Sequence, residues 1–276
     1  MKRMLVIIAA VLCACAAATP RHVVAETPDY WQLSESWRFG AGINGYLPDV
    51  GLKTTLPNGV NSDIQIDIGT ILDHMKMAFA GVAEAQKGRW GAFTDVLYMD
   101  LGGAPSKTRN FTLGSESIPA DVSAKVTVDM KATIWTFAGS YRALASPRSA
   151  LDVFAGTRLF DVTVNQDWRL TGNIGSIPLP DRSGHGETNS GVWDAIIGVK
   201  GRFALNADRT WFVPCYLDVG TGDSELTWQI LGGIGHTFDW GDVTATWRYL
   251  DYKTGSSTGI EDENMSGPQI AYAYRW

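Results

Sequence analysis

The chain has 276 residues, 45% apolar and 19% charged, with 30 Gly, 11 Trp and a net charge of −6. So much buriable side chain excludes a disordered protein, and beyond the first twenty residues no apolar run is long enough for a membrane helix. An acidic balance without a basic stripe argues against nucleic acid as a partner.

Residues 1–25 read as a secretory signal, because Lys2 and Arg3 precede the apolar stretch Met4–Ala18 and Val23-Val24-Ala25 offers a small-residue cleavage site. Cleavage after Ala18 is the variant reading, and Leu12-Cys13-Ala14-Cys15 has the look of a lipoprotein box that would acylate Cys15. Removing residues 1–25 leaves 20 basic against 29 acidic residues, net −9, and Cys215 as the one cysteine. A single thiol forms no internal disulfide, so the fold is held by other means. Residues 26–276 are expected to form one domain, without repeat or linker.

Along that domain the dominant signal is a period of two, the mark of strands with unlike faces. Trp37, Phe39, Ala41 and Ile43 oppose Arg38, Gly40, Gly42 and Asn44. Val126, Val128, Met130, Ala132 and Ile134 oppose Lys125, Thr127, Asp129, Lys131 and Thr133, with the alternation failing at Trp135 and Phe137. Similar stretches run through 193–205, 226–238 and 243–249. At the C-terminus Ile270, Tyr272, Tyr274 and Trp276 share one greasy face, as aromatic girdles at a membrane interface do. Short turns such as Lys87-Gly88-Arg89 and Asp239-Trp240-Gly241-Asp242 alternate with long polar segments near 46–74, 102–124, 164–190 and 253–265. That alternation of connections predicts a single antiparallel transmembrane β-barrel, all-β, with long loops external.

Ten strands are expected, near 36–45, 75–86, 90–101, 125–143, 149–163, 191–205, 209–219, 226–238, 241–252 and 268–276. Pairing Ile64–Ile68 with Gly51–Leu56 would make twelve, and eight is the remaining count. A barrel in lipid turns its polar face inward, which gathers the charges of both signs in the lumen. Arg38, Glu84, Asp95, Asp129, Lys131, Arg158, Asp194, Lys200, Arg202, Asp218 and Arg248 are the interior charges so assigned, joined by Asp152, Asp242 and Arg275. Balanced charges in a narrow lumen are expected to pair and to plug it.

With these residues in view the chain resembles the Gram-negative outer-membrane barrels of the opacity or surface-antigen type. The resemblance rests on Glu84-Ala85-Gln86-Lys87-Gly88-Arg89-Trp90-Gly91, on Gly156-Thr157-Arg158, on Trp193–Gly198 and on Tyr216–Gly220 continuing to Arg248-Tyr249-Leu250-Asp251. It implies outer-membrane location, lipid and lipopolysaccharide surroundings, and assembly by the barrel machinery, for which Ile270, Tyr272, Tyr274 and Trp276 would be the terminal signal. It implies little about activity.

The expected role is therefore structural or surface-borne, with a narrow passive channel for small solutes as the alternative. A barrel hydrolase acting on lipid A or peptides comes last. It would need a His held by a carboxylate, for which Asp73-His74 is the one adjacent pair, while His185 reads as flexible loop and His236 as a rim residue. Loop acids including Asp49, Asp63, Asp67, Asp223, Glu225, Glu261, Asp262 and Glu263 would suit divalent cations bridging to lipopolysaccharide, though without the spacing of a calcium loop. No cofactor or structural-metal motif is present in the sequence.

Overall fold

The computed structural model describes residues 30–55, 60–113, 116–117, 122–174, 177–178, 182–254 and 260–276. The expected signal segment 1–25 and the lipidation position Cys15 lie outside the described residues. Ten long strands follow one another as antiparallel neighbours: β1 (Arg38–Tyr46), β4 (Met75–Lys87), β5 (Trp90–Leu113), β7 (Val122–Ser146), β8 (Ser149–Ile174), β10 (Arg182–Ala204), β11 (Trp211–Gly222), β12 (Leu226–Phe238), β13 (Gly241–Lys253) and β14 (Ile260–Arg275). Pairing of β1 with β14, through Ala41 opposite Tyr274, closes the sheet into a barrel and leaves no edge there.

Between β1 and β4 lie β2 (Asp49–Thr55), β3 (Val60–Ile66) and the helix α1 (Ile68–His74); β6 (Glu116–Ser117) and β9 (Ile177–Pro178) are short pairings on β5 and β8. The β2–β3 hairpin anticipated in segment 46–74 exists, but it does not raise the count to twelve. Near the turns the wall runs β14–β1–β4–β5, and higher up, where β1 and β4 have ended, it runs β14–β2–β3–β5. The hairpin replaces two strands rather than adding two. At Leu47–Pro48 the chain steps from one level to the other and passes so close to β14 that a Cβ on Gly267 would lie 2.2 Å from the Leu47 carbonyl oxygen.

The strands are also longer than the alternation suggests. Segments 102–124 and 164–190, expected as loops, are mostly the upper ends of β5, β7, β8 and β10. One row of cross-strand neighbours, Val96–Trp135–Leu159–Trp193, marks a change of regime. From it downward the outer face is apolar, with Phe137 54%, Ile197 63%, Leu217 47%, Trp247 57% and Ile270 66% exposed. Hydroxyls in this belt are bonded back to the wall, Thr94 to the Thr136 carbonyl at 2.9 Å and Thr157 to the Asp194 carbonyl at 3.0 Å. On β10 the belt runs from Trp193 to Phe203, about the ten residues a tilted strand needs to cross a hydrocarbon core.

Above that row the faces exchange chemistry without any slip in the period of two. Outward now point Thr133, Asp161, Lys131, Thr163, Asn189 and Glu187, while Ile134, Ala132, Met130, Val128 and Val126 of β7 are buried inside with Phe160, Val162, Val164 and Trp168 of β8. Val50, Leu52, Ile64 and Ile66 from the hairpin, Ile71 from α1, and Tyr252 and Met265 complete this upper core. Water outside and oil inside is the soluble arrangement, whereas the belt below has it reversed. The failure of alternation at Trp135 and Phe137 is therefore the crossing point itself.

Below the belt's lower rim the turns are short. Gly88 at φ 56° makes the two-residue turn between β4 and β5, a left-handed conformation open to glycine at low cost. An aromatic band circles this end: Trp37 stacks on Phe39, Phe39 on Trp276 and Trp276 on Tyr274, while Trp211, His236, Phe238 and Trp240 form a second run.

Candidate functional site

The lumen of the belt region is bridged by several sets of contacts. Lowest, Tyr30 and Trp31 of the N-terminal segment reach into the barrel mouth and are buried. Cations hold them there: Arg275 and Arg38 lie 4.5 and 5.1 Å from the Tyr30 ring, Arg202 lies 4.7 Å from Trp31, and Arg142 Nη1 donates to the Tyr30 carbonyl at 3.1 Å. Around this plug Arg142 is paired with Asp152, Arg275 with Asp242, and Arg202 Nη1 with Asp242 Oδ2 at 3.0 Å. Lys200 on β10 reaches across the barrel to Glu84 on β4 at 3.0 Å, and Arg275 meets the same carboxylate at 3.3 Å.

In the middle Phe93, Phe154 and Tyr216, from β5, β8 and β11, meet with ring centroids 5.1 to 6.4 Å apart. Above them Arg158 is wholly buried and grips Asp218, Nη1 to Oδ1 being 3.0 Å, while its Nε donates to Thr136 at 3.1 Å. Arg248 likewise spans from β13 to Asp95 on β5 at 3.4 Å and donates to Gln229 at 3.0 Å. Asp194 makes no such bridge. Its carboxylate accepts from Ser224 N at 2.9 Å and Ser224 Oγ at 2.7 Å, fixing the β11–β12 turn. Arg38 donates to Gln86 at 3.3 Å beside the plug.

Two of the charges assigned to the interior are not there. Asp129 and Lys131 lie on the outer face of β7 above the belt, where Asp129 pairs with Lys76 at 3.2 Å and Lys131 is exposed. They follow the same strand frame as the interior charges, but the frame has changed solvents by that height. Glu263, expected among external loop acids, is the opposite case. It sits inside β14 at 2% exposure, between Leu52 of β2 and Tyr252 of β13, and neither carboxylate oxygen has a hydrogen-bond partner. Burial without a counter-charge pushes its pKa up to about 8.

Among the histidines, His185 departs from expectation. His74 closes α1, its Nδ1 3.0 Å from the Thr70 carbonyl, and Asp73 beside it is exposed. The helix itself is started by Asp67, whose side chain accepts from Thr70 N at 2.9 Å. His185, expected in a flexible loop, stands on β10 with Nδ1 2.9 Å from Asp167 Oδ1 on β8. Eighteen residues separate that pair, and only the antiparallel register brings them together. Ile270, Tyr272, Tyr274 and Trp276 all point outward, the last two in the lower aromatic band.

No protein-family model matches the chain, and no curated protein matches it in sequence. Solved structures do. The outer-membrane protease OmpT from Escherichia coli aligns with a TM-score of 0.54 over 89% of this chain and 98% of its own, at 10% identity. The chain has the fold of outer-membrane β-barrels. Weaker likenesses run to the translocator domain of the autotransporter NalP from Neisseria meningitidis, at 15% identity, 87% and 88% coverage and TM-score 0.37. The attachment invasion locus protein Ail of Yersinia pestis matches at 8% identity, 88% and 99% coverage and TM-score 0.29. At such identities the shared property is the barrel alone.

Proposed function

We propose that this protein is an integral outer-membrane barrel of the opacity or surface-antigen type with a closed lumen. Its role is structural or surface-borne rather than transport or catalysis, and its partners are outer-membrane lipid, lipopolysaccharide and the barrel assembly machinery. The apolar belt supports insertion in a bilayer. Outward Ile270, Tyr272, Tyr274 and Trp276 at the end of β14 form the aromatic pattern that the assembly machinery would engage. The observation that carries the closed lumen is the set of contacts spanning it, from Lys200–Glu84 through the Phe93–Phe154–Tyr216 cluster to Arg248–Asp95. Each joins strands on different sides of the barrel, which supports a lumen obstructed along its axis.

Planar-bilayer recording of the refolded protein tests this reading. A silent membrane is expected across a range of salt concentrations, with folding confirmed by the differing gel mobility of unboiled and boiled samples. Reproducible conductance steps would overturn the closed lumen and restore the channel.

A further inference from the structure

The outer face above the belt contains a charge arrangement that the fold does not account for. Lys125 on β7 stands directly opposite Arg169 on β8, both exposed, and neither has an ion-pair or hydrogen-bond partner among the described residues. Like charges directly opposite destabilise an antiparallel pair, and this chain carries a net charge of −6, so cations are scarce. The pair borders a surface hollow of about 530 Å³ that also has Ser183 and Thr127 on its lining. Through Asp167 and His185 it joins a second hollow of about 590 Å³, whose lining includes Lys76 and Lys131 but also Asp100, Asp129 and Glu187 and is acidic on balance.

Position identifies what meets this face. The hollows open outward, on the side of the wall that faces lipid further down. Taking about 3.3 Å per residue and a strand tilt of about 40°, Lys131 and Lys125 lie roughly 10 and 25 Å above the Trp135 row. That is the depth of the sugars carried by an outer-leaflet glycolipid, whose phosphates are the anions on offer at such a surface.

We infer that the hollow beside Lys125 and Arg169 binds the phosphorylated saccharide of the lipopolysaccharide surrounding the barrel, one phosphate bridging the two cations while the acidic second hollow meets only uncharged sugar hydroxyls. An arginine and a lysine side by side give a phosphate a planar fork and a point charge at once. Ser183, Thr127 and the His185–Asp167 pair are placed to bond sugar hydroxyls. The inference rests on the outer-membrane reading proposed above.

The test uses protein refolded in detergent, with heat-dependent gel mobility as proof of folding, and calorimetric titration with phosphorylated core oligosaccharide stripped of acyl chains. Saturable binding is expected, weakened at least about tenfold in the Lys125→Gln/Arg169→Gln double variant and by dephosphorylating the sugar. No binding by the folded protein, unchanged affinity in the double variant, or equal affinity for inorganic phosphate alone would each overturn it. Quenching of tryptophan fluorescence by lipids brominated on their acyl chains reports insertion of the belt independently. Absent quenching would overturn the membrane reading, whereas intact quenching without sugar binding overturns the saccharide site alone.

Discussion

Glu263 should make the upper part of the barrel weaker as pH rises. Its two carboxylate oxygens are buried without partners, with Leu52 and Tyr252 on either side, and its pKa is raised from 4.5 to about 8. The folded chain therefore keeps this carboxyl protonated through neutral pH, while the unfolded chain releases the proton near the ordinary value. Stability relative to this group is intact below about pH 4.5, falls by about 1.4 kcal/mol per pH unit up to about pH 8, and is level beyond. Near neutrality the loss is on the order of 3 kcal/mol, a large share of the stability of an ordinary domain. Glu263→Gln keeps the shape and carries no charge, so its stability should lack this slope. Hydrogen exchange of the β2 and β14 amides above the belt, compared at about pH 5.5 and about pH 8 in detergent, measures the difference. Wild-type protection should fall with pH by about two orders of magnitude more than that of the variant. Parallel behaviour of the two proteins would refute the reasoning.

Two further perturbations probe the lower half. Arg158→Met strands the buried Asp218 carboxylate and should destabilise the barrel by about 3–5 kcal/mol, seen as a lower temperature of the gel-mobility shift, while Arg158→Met with Asp218→Leu should recover most of that loss. Ile197→Lys places a charge in the middle of the belt and should cost about 2–4 kcal/mol in a lipid-refolded urea titration. Asn189→Lys, on the same face of β10 but above Trp193, should cost almost nothing, and equal costs at the two sites would deny that the belt ends there.

The period of two in β7 is plain in the sequence, and the barrel can be read from it. What the pattern does not state is which solvent each face meets. Val126 to Ile134 look like a lipid-facing set because they are apolar, and Lys125 to Thr133 look like a lumen set because they are polar. The clue to the exchange lies in Trp135 and Phe137, two aromatics on the polar frame, which resemble a local defect unless the strand is allowed to leave the membrane and continue. Asp129 and Lys131 are misplaced by the pattern for that reason. Glu263 is misplaced for another: it lies in a stretch whose composition reads as loop, and burial of an unpartnered acid leaves no mark in composition. The interior charges of the belt region, such as Arg158, Asp218 and Glu84, are legible because an ionised side chain has one tolerable side of a wall in lipid. Their partners are not. Lys200 finds Glu84, and Asp194 finds Ser224, through barrel curvature and turn geometry that no short window of sequence encodes. The His185–Asp167 contact likewise depends on register between two long strands.

The exchange of faces at the Trp135 row gives one continuous sheet two different thermodynamic characters. Above it, cohesion comes from expelling water from oil, a force that carries a large heat capacity, weakens on cooling and is strengthened by excluded salts such as sulfate. Below it the surroundings are themselves oil, so that force is absent between wall and lipid, and cohesion falls to backbone hydrogen bonds, ion pairs and the fit of belt height to bilayer thickness. A single strand such as β8 thus runs through two regions whose responses to temperature, salt and lipid length are unrelated. Cold would loosen the upper end of that strand and leave its lower end firm, and a change of lipid chain length would do the reverse.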